Sequence, residues 1–331
     1  MNLAADDNPS LLAIERLCVE FAAKAGPLPA VREVSLALRR GEALCIVGES
    51  GSGKSTLALA VIGLLADNAR VTGRIVFNGG DLLTHTEEQL GEIRGRRIGF
   101  IFQDPARALN PVLSIGRQIT EVLLRHSTTD KTLALARAEQ LLTEVGVNDA
   151  RLRLRQYPHE LSGGIKQRVM IAMAIACEPE LLIADEPTTA LDVTIQGQVL
   201  RLLRRLCNER GVALILVTHD FGVVAAMADR VAVMYAGRVV EYARAVDLFQ
   251  QPQHPYSQGL LVANPRRVLD ADIGTTMLDP IPGSPPSPYD SDVGCSFAPR
   301  CAKRHDACTT RPTLRVGANE HLAACWLAAQ E

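Results

Sequence analysis

Gly48-Glu49-Ser50-Gly51-Ser52-Gly53-Lys54-Ser55-Thr56 decides the fold of this chain. The run reads G-x-x-x-x-G-K-S and sits between an apolar strand, Ala43-Leu44-Cys45-Ile46-Val47, and a helical pattern that begins at Thr56. A phosphate-binding loop requires this strand–loop–helix context. Its glycines let the chain curl until successive backbone N–H groups point at one spot, and the positive end of the following helix adds to that field. Gly48, Ser50, Gly51 and Gly53 then shape the cradle, Lys54 reaches the β- and γ-phosphates, the Ser55 hydroxyl ligates Mg²⁺, and Thr56 follows in the helix. Alone, the loop says only that a nucleotide binds.

The chain has 331 residues, enough for a core of about 200–250 residues and an appendage. Its formal net charge of −2 argues against a dominant nucleic-acid-binding surface. Asp6 and Asp7 stand where a signal peptide would place a basic and then an apolar stretch, so none is expected. No apolar run approaches the roughly 18–20 residues that cross a bilayer; the most apolar helical run, Val169 to Cys177, has half that length. The expectation is a soluble or peripheral chain whose membrane role needs a partner.

Residues 11 to 47 alternate apolar and polar side chains, with turn residues at Gly26-Pro27 and Gly41, and predict a small antiparallel β layer. Two further strands are expected at Arg74–Phe77 and Ile98–Phe102. From Asp104 to about Cys177 the pattern is helical, and Thr132–Val145 places Leu133, Leu135, Ala138, Leu141, Leu142 and Val145 on one predicted face. Buried strands return at Leu181–Ala184 and Ala213–Val217, separated by a helix over Ile195–Glu209. Such alternation predicts an α/β fold with a parallel, doubly wound sheet. Asp229–Glu241 reads as a hairpin turning at Ala236-Gly237. After Gln250, Pro252, Pro255, Pro265, Pro280, Pro282, Pro285, Pro286 and Pro288 break all periodicity, so 251–331 is expected to be a separate, loop-rich tail.

Leu181-Leu182-Ile183-Ala184-Asp185-Glu186-Pro187 is an apolar strand ending in adjacent carboxylates. Asp185 fits contact with Mg²⁺, and Glu186 then points at the γ-phosphate, placed to polarise an attacking water. Gln103, at the end of its strand, is placed to reach the Mg²⁺–water shell. His219 follows a strand at the sheet edge where ligands bind in open α/β folds, placed to contact the γ-phosphate.

Leu161-Ser162-Gly163-Gly164-Ile165-Lys166-Gln167-Arg168 resembles the signature sequence of ATP-binding-cassette ATPases, and Ala190-Leu191-Asp192 resembles their dimer-contacting loop. The resemblance covers residues 11–250 and implies a P-loop (RecA-like) doubly wound sheet with an antiparallel β layer and a helical subdomain at about 104–178. It also implies ATP with Mg²⁺ and a head-to-tail pair of cassettes. Ser162, Gly163 and Gly164, with Asp192, would complete the ATP site of a second subunit. Position 165 is Ile where many members carry Gln, which changes a side chain and leaves the N–H donors. Phe21 is the candidate aromatic for stacking on adenine, with a core role as the alternative.

Gly48–Thr56, Phe102-Gln103-Asp104-Pro105, Leu109-Asn110-Pro111 and Val169–Thr194 resemble the peptide-importer branch, which includes dipeptide, oligopeptide and nickel permeases. His254-Pro255-Tyr256 and Gly294-Cys295-Ser296-Phe297-Ala298-Pro299-Arg300-Cys301 resemble its C-terminal extension. The resemblance implies an ATP hydrolase powering import of dipeptides or short peptides, with oligopeptide or nickel import as the alternative and a non-transport cassette protein as the rival class. It further implies a peripheral site on the cytoplasmic face of the inner membrane. The implied partners are a paralogous second ATPase subunit, two transmembrane permease subunits gripped near Asp104–Arg125, and, indirectly, an extracytoplasmic peptide-binding protein.

The cysteines form two sets. Cys18, Cys45, Cys177 and Cys207 occupy single apolar-pattern positions and are expected to be buried thiols. Cys295, Cys301, Cys308 and Cys325 are spaced C-x5-C-x6-C-x16-C without the paired C-x2-C knuckles usual for zinc. Thiolates gathered from irregular loops suit an iron–sulfur cluster as well as Zn²⁺. The resemblance implies a 4Fe–4S cluster; thiols that merely pack beside Trp326 are the third reading.

Overall fold

Apolar–polar alternation from Leu11 onward builds a hairpin in the computed structural model of the chain, which describes residues 10–188, 193–263, 281–290, 293–317 and 320–328. Strands β1 (Leu12–Ala23) and β2 (Gly26–Leu38) pair antiparallel. Strand β4 (Ala69–Phe77) joins the other edge of β1, and β5 (Gly80–Asp81) pairs with β4. Leu12, Ile14, Leu17, Val19, Val31, Val34 and Leu36 are all buried. Register shifts flank Leu17, and Arg16 and Glu33 take left-handed backbone (φ 46 and 52), so the alternation slips without exposing Leu17 or Val34.

The chain forms two compact units, Met1–Leu38 with Ala43–Asp81 and Val217–Glu331, and Arg39–Glu42 with Leu82–Leu216. In the first, β3 (Ala43–Val47) is buried at every position and runs parallel to β9 (Arg230–Tyr235), with Ile46 opposite Ala232. A strand covered on both faces reads as a continuous apolar run, which is what β3 is. Helix α1 (Lys54–Val61) follows the glycine-rich loop and α9 (Phe221–Met227) precedes β9. Strand β10 (Arg238–Arg244) returns antiparallel to β9 through Ala236 and Gly237, both at positive φ (47 and 79), the expected hairpin turn.

The second unit carries α2 (Glu87–Ile93), β6 (Ile98–Ile101), α3 (Pro105–Ala108), α4 (Ile115–His126), α5 (Lys131–Glu144), α6 (Ala150–Arg153), α7 (Gly163–Ala174), β7 (Leu181–Asp185) and α8 (Val193–Arg210). Strands β6 and β7 are parallel, and β8 (Ala213–Thr218), whose last two residues belong to the first unit, lies on the other side of β7. Helices α4, α5 and α7 pack on one another. The face of α5 that does so is Ala134, Ala138, Leu141 and Leu142, continued by Val145. Leu133 and Leu135, expected on that face, are instead 61% and 50% exposed. The helical period places Ala134, not its leucine neighbours, in line with Ala138, Leu141 and Val145. Helix α2 was not expected, because none of its residues is buried and no apolar period marks it. Its signal is the capping box: Gln89 N–H donates to the Thr86 hydroxyl (3.3 Å) and Thr86 N–H to the Gln89 amide oxygen (2.9 Å). Of the four scattered thiols, Cys45 and Cys207 are buried, whereas Cys18 and Cys177 are half-buried.

The tail belongs to the first unit. Helices α10 (Ala245–Gln250) and α11 (Pro255–Val262) follow β10, and the short strands β11 (Arg315–Val316) and β12 (Leu322–Ala323) extend its sheet, with β12 pairing to β10. Pro265 and Pro280 lie outside the described residues. Glu241 of β10 is fully buried and accepts hydrogen bonds from Gln253 N–H (2.7 Å) and His254 N–H (3.0 Å). His321 Nε2 lies 2.6 Å from the same carboxylate. His254, also buried, caps α11 by accepting from Tyr256 N–H at 3.0 Å.

Burial pushes the His254 imidazole down to about 4 from its ordinary 6.5, against an opposing pull from Glu241. Between these values the unfolded chain binds a proton that the folded chain refuses, so stability falls as pH drops through that window, by about 3 kcal/mol for this group. His254→Asn keeps an oxygen for the Tyr256 N–H and cannot titrate. Urea unfolding from pH 6.5 down to pH 4 is expected to show a shallower loss of stability in the variant.

Candidate nucleotide site

The glycines of the Gly48–Thr56 loop are required by space as well as by backbone angle. Gly48 has φ 151, and a Cβ there would overlap the Met234 carbonyl oxygen of β9 and stand 2.9 Å from Ser52 Oγ. Gly53, the residue before α1, has φ 97, and its Cβ would overlap the Ala30 carbonyl oxygen of β2. Gly51 has φ 79 with open space around it, so there conformation alone favours glycine. Lys54 is only 5% exposed. Its Nζ donates to Gly48 O (2.8 Å), Glu49 O (2.8 Å) and Ser52 Oγ (3.3 Å). Ser50 is exposed at the loop tip, while Ser55 and Thr56 are half-buried in the first turn of α1. A buried ammonium beside a curled backbone at a helix start is chemically a polyanion site.

Two other expected residues share this unit. Phe21 is half-buried near the end of β1, opposite Leu28 of β2 and Ala69 of β4. His219 is exposed directly after β8, and the next residue, Asp220, caps α9 by accepting from Gly222 N–H at 2.6 Å.

In the second unit the structure joins two residues that the sequence separates by 83 positions: Gln103 Nε2 donates to Glu186 Oε2 at 2.9 Å. Asp185 ends β7 and is buried; Glu186 follows it, half-buried, with φ 44. A left-handed glutamate is strained by roughly 1–3 kcal/mol, and such strain gathers at functional sites. Ser162 is the residue before α7, exposed and extended (φ −68, ψ 160), and its side chain makes no bond to the helix's own N–H groups. Gly163 is exposed with open space around it, and Gly164 lies against Ile195, whose Cγ2 would stand 3.2 Å from an added Cβ. This leaves the α7 N-terminus presenting donors outward. Asp192, with Ala190 and Leu191, lies outside the described residues.

The tail thiols Cys295, Cys301, Cys308 and Cys325 are each half-buried. Burial pushes Cys295 and Cys325 up, and Cys308 adds a like-charge push on both, joined by Cys325 on Cys295 and by Cys301 on Cys325. Backbone N–H groups already point at sulfur: Phe297 and Ala298 at Cys295, and Leu327 at Cys325 (3.4 Å). Among the described residues no three His, Cys, Asp or Glu side chains are arranged to hold a single metal ion.

Glu49, the one loop residue with a carboxylate, has no part in the phosphate-loop motif. Arg300 donates to both of its oxygens (2.7 and 3.0 Å), and its N–H donates to the Tyr256 hydroxyl at 2.8 Å. Tyr256 lay in a segment already singled out; Arg300 carried no signal beyond its place before Cys301.

The profile of the family described as ABC transporter matches residues 31–189, and that of the oligopeptide/dipeptide transporter C-terminal region matches 240–308. The oligopeptide transport ATP-binding protein OppD of Escherichia coli K12 is 48% identical over 99% of this chain and 96% of its own. The dipeptide transport ATP-binding protein DppD of Bacillus subtilis 168 is 47% identical over 96% and 94%. Among solved structures, the ATP-binding cassette MJ0796, a dimer in a post-hydrolysis state bound to ADP and Pi, is 27% identical with a TM-score of 0.65, over 71% of this chain and 98% of its own. The loop, the Gln103–Glu186 pair and the cysteine-bearing tail thus sit in a chain that belongs to the ABC ATPases, in the family of oligopeptide and dipeptide transport ATP-binding subunits.

Proposed function

We propose that this chain binds and hydrolyses ATP to power the import of short peptides, as a peripheral subunit on the cytoplasmic face of a membrane transporter. The observation that carries the chemistry is Glu186, held in left-handed backbone with its carboxylate accepting from the Gln103 amide. The solute class rests on the relatives, which include both dipeptide and oligopeptide transport proteins at similar identity.

In this reading Lys54 exchanges its loop oxygens for those of the β- and γ-phosphates. Ser55, Asp185 and Gln103 would supply oxygens that suit Mg²⁺, which would neutralise phosphate charge. Glu186 polarises the attacking water, His219 steadies the γ-phosphate and Phe21 stacks on adenine. Ser162 with the N–H groups of Gly163 and Gly164 receives the γ-phosphate of a neighbouring cassette's ATP, assisted by the Asp192 loop. The dimeric state of the related cassette supports this pairing. The neighbour is a paralogue or a second copy.

No described helix is long and apolar enough to cross a membrane, so permease subunits are the proposed route for solute. Residues 104–125 are the proposed grip for a permease helix. The 76% exposure of Val112 supports that surface, and a peptide-binding protein outside the membrane would deliver the solute.

Replacing the assigned base by Glu186→Gln is expected to slow ATP hydrolysis by about 10²–10⁴-fold while Mg-ATP still binds, and to accumulate a closed dimer on gel filtration with Mg-ATP. Undiminished turnover by that variant would remove Glu186 from its role.

We propose that the four tail thiols hold a 4Fe–4S cluster. Like-charge pushes link Cys295 to Cys308 and Cys325, and Cys325 to Cys301 and Cys308, and each iron of a cluster takes its own thiolate. Backbone N–H groups aimed at sulfur favour thiolate, and a cluster would staple a tail with little apolar periodicity. Purified without oxygen, the chain is expected to absorb broadly in the visible and to hold about four irons, both lost in Cys301→Ser. A colourless protein holding about one zinc would favour the alternative metal.

A further inference from the structure

The phosphate loop is gripped from outside by the C-terminal tail, at one residue. Arg300 is 5% exposed at its side chain, and its guanidinium has an acceptor for each of its N–H groups. Nε donates to Pro282 O (2.8 Å). One terminal nitrogen donates to Glu49 Oε2 (2.7 Å) and the Tyr235 hydroxyl (3.4 Å), the other to Glu49 Oε1 (3.0 Å) and Ile281 O (3.3 Å). The pairing with Glu49 is therefore the two-pronged arrangement that fixes both planes. Tyr256, fully buried, accepts the Glu49 backbone N–H at 2.8 Å. Its ring packs on Tyr235 (centroids 4.6 Å apart) and Phe297 (5.3 Å), so the hydroxyl has little freedom to leave. The third handle of Glu49, its carbonyl, accepts from Lys54 Nζ at 2.8 Å.

We propose that Arg300 and Tyr256 are positioning residues for ATP binding: by holding Glu49 at its carboxylate and its N–H, they set the peptide that orients Lys54 and keep the loop in its phosphate-ready curl. The proposal rests on the reading of the Gly48–Thr56 loop as the ATP site. Both residues belong to the tail; none of the loop's own motif demands them. Arg300 also directly precedes Cys301, on a turn closed by Ala298 N–H to Cys295 O (3.0 Å) and Cys301 N–H to Ala298 O (3.3 Å). The order of the thiol-bearing turn and the order of the phosphate loop thus share one side chain. A loop released from this grip spends part of its time in other conformations, and apparent affinity falls by the fraction that remains competent.

The test is the affinity of the full chain for Mg-ATP, by calorimetry, for wild type, Arg300→Lys, Tyr256→Phe and Lys54→Ala, each well below its melting midpoint. Arg300→Lys keeps the charge and loses the planar fork. Tyr256→Phe keeps the ring and loses the hydroxyl. The dissociation constant is expected to rise about tenfold in Arg300→Lys and about threefold in Tyr256→Phe, as expected for a charged and a neutral hydrogen bond. In steady-state ATPase assays the same rise is expected in KM, with kcat recovered at saturating ATP. Wild-type affinity in both variants, even with lowered melting midpoints, overturns the proposal and leaves the contacts purely structural. Should Arg300→Lys fail to fold, Tyr256→Phe decides by the same criterion. A wild-type chain that binds Mg-ATP no better than Lys54→Ala overturns instead the reading of the loop on which the proposal stands.

Discussion

A backbone with no room for side chains governs the first unit. The Met234 and Ala30 carbonyl oxygens stand where Cβ atoms of Gly48 and Gly53 would be, so β9 and β2 press on the loop from separate elements. Because both strands are hydrogen-bonded to their neighbours and β9 is largely buried, the loop's curl is imposed by the sheets around it. Lys54 then follows. An ammonium this deeply buried costs several kcal/mol unless it is satisfied, and oxygens of its own loop satisfy it. The loop is thus held in shape with its lysine stored against carbonyls that phosphate oxygens can replace.

Directed polar contacts help to hold the tail within this unit. Glu241 is buried among the Gln253 and His254 N–H groups and His321, which brings residues before α11 and before β12 to one carboxylate. Buried networks of this kind specify a single arrangement, because each member left unpaired carries a desolvation penalty. Tyr235, Tyr256, Phe297 and His254 supply the apolar counterpart, with ring centroids 4.6 to 5.8 Å apart. A segment rich in proline, with few periodic apolar residues, is in this way fixed to the sheet beside the loop.

The second unit obeys a different logic. Helices α4, α5 and α7 bury apolar faces, and each of Leu141, Leu142 and Val145 contributes about 1.5–3 kcal/mol on burial. On that support β7 ends in Asp185, the chain turns through the left-handed Glu186, and Gln103, two residues beyond β6, donates to the Glu186 carboxylate. Strain at Glu186 persists because the strand behind it is buried at every position.

Contiguous chemistry was legible from sequence alone. A phosphate loop is made of consecutive backbone groups, so its glycines, lysine and flanking strand lie in one stretch, and β3, β7, β8 and the Ala236-Gly237 turn fall where local patterning puts them. The resemblance to the cassette family is carried by stretches that are likewise contiguous, Leu161–Arg168 and Ala190–Asp192. What the sequence did not disclose depends on approach in space: Leu133 and Leu135 lie outside the packed face, α2 buries nothing that a period could reveal, and Gln103 meets Glu186 across 83 residues. The Arg300–Glu49 pair spans 251 residues. Periodicity reports only which face of one element is apolar; which distant charge that face meets is set by how strands and turns pack, and only the folded chain contains that information.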